Sequence, residues 1–75
     1  MAFLFGDKIK LEDAKGKVAK KGATAIVIEG SSMFVLDNFG PAEEVIRIEW
    51  IRDGKDNGQA NGVYRAKGFI RANRE

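Results

Sequence analysis

The 75 residues contain neither His nor Cys, so an imidazole base, a thiol nucleophile, a zinc finger, a redox pair and a His or Cys haem ligand are all excluded. Ser31 and Ser32 have no imidazole to activate them, and their place after Gly30 suits a turn. Glu43, Glu44 and Glu49 are the carboxylates that could share acid–base work. Strand parity sends Glu44 and Glu49 to opposite faces, and a domain of this size offers no sheltered pocket to shift their pKa. Asp53-Gly-Lys-Asp56-Asn57-Gly58 sets oxygen side chains beside a glycine but lacks the alternating ligands and distal Glu of a calcium loop, so it reads as a hairpin loop. Gly16-Lys-Val-Ala-Lys-Lys-Gly22 has neither the glycine spacing of a phosphate loop nor a Ser or Thr after Lys21. The expectation is a protein without catalytic residues, bound metal or cofactor, and hence not an enzyme.

Binding chemistry is what the remaining side chains offer. Residues 7 to 21 hold six Lys against three acids, 29 to 56 hold seven acids against three bases, and 65 to 75 hold four bases against Glu75. A fold that brings the two basic ends together would set Lys15, Lys17, Lys20 and Lys21 beside Arg65, Lys67 and Arg71, a flank able to attract a nucleic-acid backbone. Mixed charge at this density also serves as ordinary solubilising surface, and both readings stand. Trp50 and Tyr64 could stack bases beside such a flank, though strand alternation groups Trp50 with Ile46 and Ile48 in a core.

Those residues need elements to hold them. Ile46, Ile48 and Trp50 alternate with Arg47, Glu49 and Ile51 across 44 to 52, the period of a half-buried antiparallel strand. Residues 23 to 29, rich in β-branched side chains, predict a second strand, turned by Gly30-Ser31-Ser32 into a third at 33 to 37. Gly40-Pro41 then breaks the pattern. Residues 7 to 11 predict the opening strand, with Ile9 and Leu11 inward, and 63 to 70 the last one, after a loop with two Asn-Gly pairs. Residues 12 to 21 carry acids at their start, lysines at their end and Gly22 beyond, marks of a short helix; an irregular loop with Val18 dipping inward fits equally well. The expected inner set is Ile9, Val18, Ile26, Ile28, Val35, Ile46, Ile48, Trp50 and Tyr64, which leaves Val27 and Ile51 outward with Phe3 and Phe5.

Gly6-Asp-Lys-Ile-Lys10, Gly22-Ala-Thr-Ala-Ile-Val-Ile-Glu29 and Val45-Ile-Arg-Ile-Glu-Trp50 before a glycine-rich hairpin form an ordered series. Together they resemble a small SH3-like barrel with a strand of the KOW type. Gly62-Val-Tyr-Arg-Ala-Lys-Gly-Phe69 is similar to the closing strand of small phage and bacterial barrels. The resemblance implies a mainly β fold, one barrel of about five antiparallel strands spanning roughly residues 6 to 70, and through the KOW-type members it also implies nucleic-acid contact; beyond it, the polar Arg71-Ala-Asn-Arg-Glu75 reads from its own composition as a fraying tail.

The functional expectation is a single-domain binding or assembly module. It would meet a protein partner, or another copy of itself, through an open strand edge, the Gly54 to Gly62 loop with Asn57 and Gln59, or the outer apolar positions Val27 and Ile51, with Tyr64 a further contact residue. Nucleic acid is the alternative partner. The apolar run before Gly6-Asp7 is far shorter than the ~20 residues of a bilayer span, and no charged leader precedes it, so the expectation is a cytoplasmic protein with no membrane partner.

Overall fold

The computed structural model describes residues 3–15, 17–35 and 38–72. Five strands form one antiparallel sheet: β1 Lys8–Leu11, β2 Thr24–Val35, β3 Ala42–Trp50, β4 Gly62–Arg65 and β5 Phe69–Arg71. Their order across the sheet is β4-β3-β2-β1-β5, so the first and last strands are neighbours. None of the described residues is helical; the 12–21 stretch is irregular, with one turn closed by Lys17 N–H to the Ala14 carbonyl and another at its end closed by Ala23 N–H to the Lys20 carbonyl. Gly16 of that stretch, Leu36 and Asp37 at the end of the expected third strand, and 73–75 of the expected tail lie outside the described residues.

The strand count agrees with expectation, but the partition differs. Gly30-Ser31-Ser32 does not turn the chain; β2 runs straight through it. Its register against β3 slips between Val27 and Glu29 and again between Glu29 and Ser32, the signature of β-bulges, which bend a strand without ending it. Partners from elsewhere fix the bend: Ser31 N–H donates to the Phe3 carbonyl, Phe3 N–H donates to Ser31 Oγ at 2.8 Å, and that hydroxyl donates to the Glu44 carboxylate. Conversely, the expected last strand is two, broken at Ala66 to Gly68, where the Phe69 N–H bonds the Ala66 carbonyl. Arg71, expected in a fraying tail, belongs to β5 and pairs with Ile9.

Register also corrects the inner face of β2. Ala25 lies opposite Trp50 and Val27 opposite Ile48, and directly paired residues share a face, so the inward Trp50 and Ile48 carry Ala25 and Val27 in with them. Val27 is therefore fully buried rather than outward, while Ile28 is exposed and Ile26 half-buried. The small side chain is what the indole requires: Ala25 sits between Ile9 on one neighbour and Trp50 on the other. Val18 and Val35, also expected inside, are exposed; Ala19 takes the place of Val18 in the core, and Val35 lies on a two-stranded extension beyond it. Phe3 is buried and Phe5 exposed.

Trp50 stands 5.6 Å edge-on from Tyr64 and 5.8 Å from Phe69, centroid to centroid. Three strand spacings separate β3 from β5, which in a flat sheet is about 14 Å. The sheet therefore curls until its distant strands share one core, made by Phe3, Ile9, Leu11, Val27, Ile46, Ile48, Trp50 and Phe69 with small alanines between them. No ladder joins β4 to β5 among the described residues.

Candidate functional site

Two surfaces are set up by this framework, one charged and one apolar. The charged one forms where the 12–21 segment packs on the β4–β5 turn: Glu12 and Asp13 N–H both donate to the Gly68 carbonyl. The groove there, about 300 Å³, is lined by Lys15, Lys17, Arg65 and Lys67 with Asp13. Four of the seven bases expected on one flank thus meet. Arg65 is engaged by Glu43 at 2.8 Å, whereas Lys15, Lys17 and Lys67 have no ion pair among the described residues. Lys17 Nζ also lies 5.9 Å from the Phe69 ring centroid, a cation–π contact. Lys20 and Lys21 are exposed and do not line this groove. Arg71 is elsewhere: its Nε donates to Asp7 at 2.8 Å and its guanidinium lies over the Phe3 ring.

Three of the expected partner-binding residues hold parts of the fold together. Gln59 Oε1 accepts from Val18 N–H at 3.0 Å and Ala19 N–H at 3.1 Å, and Asn57 Nδ2 donates to the Val18 carbonyl, so the two long loops are clamped to each other. Tyr64 is half-buried against Trp50, its hydroxyl donating to the Ala60 carbonyl. Ile51 is half-buried, and Val27 is unavailable to any partner.

The 51–61 loop is built on Asp56, the buried acid of the described residues. Arg52 Nη1 donates to it at 2.7 Å, and the Gly54 and Gly58 N–H groups at 3.2 Å each. Arg52 continues to the Gln59 carbonyl and to Asn61 Oδ1, which in turn accepts the Trp50 N–H. The Arg52 guanidinium holds the Asp56 carboxyl below the usual carboxylate range; burial opposes this, and the two amides add to it. With its oxygens so occupied, Asp56 is a structural anchor, and no group of three acids that could hold a metal ion occurs among the described residues.

The apolar surface was not foreseen. Beyond the bulges, β2 and β3 continue as a two-stranded arm in which Met33, Phe34 and Val35 pair with Glu44, Glu43 and Ala42. Alternation puts Phe34 on one face and Met33 and Val35 on the other, and neither face is covered: they are 62%, 57% and 58% exposed, and Phe39 at the arm's turn 98%. The sequence signal was there in the unalternating Met33-Phe34-Val35 run followed by Phe39.

No protein-family model, curated protein or solved structure matches the chain. No helix among the described residues is long and apolar enough to cross a membrane.

Proposed function

We propose that the curled sheet is an SH3-like barrel and that it serves as a non-catalytic binding module, meeting a protein partner through the β2–β3 arm. The strand order, the three-residue link between β4 and β5 and the contact of Trp50 with Phe69 support the barrel. The observation that carries the function is the uncovered apolar run on the arm. Single exposed apolar side chains are ordinary on soluble proteins, but four on one small projection, with both of its faces uncovered, are what a partner would cover. Cross-linking mass spectrometry in host lysate tests it. The wild-type chain should give links from the arm's neighbourhood to a second polypeptide, and Phe34→Lys should lose them while keeping its circular dichroism spectrum. Links that are absent, or unchanged in the variant, reject the reading.

The convergence of Lys15, Lys17, Arg65 and Lys67 on one groove favours a second reading, contact with a nucleic-acid backbone. On a single strand, three or four neutralised phosphates give a log–log salt slope of about −2 to −3. A labelled single-stranded oligonucleotide should bind at low salt with that slope and weaken with Lys15→Glu or Lys67→Glu. Absence of binding at low ionic strength rules this reading out.

A further inference from the structure

We propose that the arm's occupant is a second copy of this chain, the two β2 strands pairing antiparallel about a two-fold axis at Phe34. The inference rests on the module reading and names the partner. It starts from backbone direction. Ser31 N–H faces away from β3 toward Phe3, and the Glu44 carbonyl faces away from β2 to accept from Ala66 N–H. With Met33 opposite Glu44, the alternation of a strand turns the N–H and C=O of Met33 and Val35 to the same outer edge as Ser31. Among the described residues, Phe3 is the last to pair with that edge, and nothing pairs with it at 33–35.

Open edges elsewhere are short or charged: β4 and β5 have four and three residues and carry Arg65 and Arg71. On the other side of the arm, Pro41 removes a donor. The run Ser32 to Val35 has no charge, no Pro and no bulge, the devices by which strands discourage pairing. An edge of this kind is met by another strand, and an identical one fits it in register. Met33 then pairs with Val35 of the second copy, and Val35 with Met33, through four backbone hydrogen bonds. Phe34 falls against its own mate in the closer, non-hydrogen-bonded position, where aromatic pairs contribute most.

The apolar area sets the ceiling. At about 200 Å² per large apolar side chain, the exposed fractions of Met33, Phe34, Val35 and Phe39 amount to roughly 500 Å² per copy. Two copies together hold on the order of 1,000 Å², so the pair reaches the lower bound for a specific interface when the arms cover each other along their whole length, Phe39 included. Because the pairing is isologous, each copy uses this edge on the other and the assembly closes at two.

The chain's lack of cysteine makes the test direct. Sedimentation equilibrium of the wild type should give twice the 8.3 kDa chain mass. Phe34→Cys should oxidise to a disulfide-linked dimer, since directly opposed positions lie within bridging distance, while Ile70→Cys on β5 should not. Phe34→Lys, outside the core, should fold and raise the dimer dissociation constant at least about 100-fold, by removing two buried rings and opposing two like charges. A wild type that stays monomeric near 1 mM overturns the proposal. So does a dimer that neither cross-links at Phe34→Cys nor weakens in Phe34→Lys. A monomer whose links to a different polypeptide still vanish in Phe34→Lys overturns the second copy and leaves the module reading intact.

Discussion

Asp56 shows how much one side chain organises here. Its carboxylate gathers Arg52 and the Gly54 and Gly58 amides, and Arg52 passes the connection to Asn61 and so to the Trp50 backbone. A carboxyl whose folded-state pKa lies below its unfolded value stabilises the fold fully above the unfolded pKa of about 3.9, and that stabilisation is lost as pH falls through the folded value. Urea midpoints from pH 7 to pH 2 should therefore fall on the acid side for the wild type. Asp56→Asn should start lower at neutral pH and fall less steeply below pH 4; parallel profiles would contradict this. Little of the network was legible beforehand. Asp53-Gly-Lys-Asp56-Asn57-Gly58 identifies a loop, but which acid turns inward depends on where Arg52 reaches, and that follows from the direction in which Trp50 leaves its strand.

The strands divide by how local their determinants are. In β3, apolar Ile46, Ile48 and Trp50 face charged Arg47 and Glu49, and the alternation alone decides the inner side. In β2, Ile26 and Ile28 look more core-like than Ala25 and Val27, yet the register with Trp50 reverses them. Gly30-Ser31-Ser32 has turn composition but serves a bulge, because Phe3 and Glu44, distant in sequence, arrive to bond Ser31. Gly30 is needed there for space: a Cβ would lie 2.8 Å from the Phe3 carbonyl oxygen. Gly30→Ala should cost about 1–3 kcal/mol by forcing that segment off the bend, read as a lower urea midpoint with faster hydrogen exchange at Ser31. Unchanged exchange at Ser31 would show that the segment is held by something else. Gln59→Ala, which frees the Val18 and Ala19 amides, should cost about 1 kcal/mol and speed exchange at Ala19.

Curvature holds the molecule together as a unit, and Phe69 is where strands three spacings apart touch. Phe69→Ala removes the ring that meets Trp50, at about 3–5 kcal/mol, which approaches the whole stability of a domain this size, about 4–11 kcal/mol. Emission from the chain's one tryptophan should shift to the red in that variant under conditions where the wild type stays blue. An unshifted spectrum would mean that the indole is sheltered without β5. The β-class and the central apolar strand were readable from periodicity; the basic groove was half readable, since charge blocks forecast the meeting of Lys15 and Lys17 with Arg65 and Lys67 but not the capture of Arg71 by Asp7, 64 residues away. That capture has a consequence of its own. With the Arg71 guanidinium 5.6 Å from the Phe3 ring centroid, the first and last described segments meet through their side chains at one corner. A geometry of this kind tolerates rewiring: a short flexible tether could join those two positions and new termini be opened in an exposed loop, leaving every ladder in place.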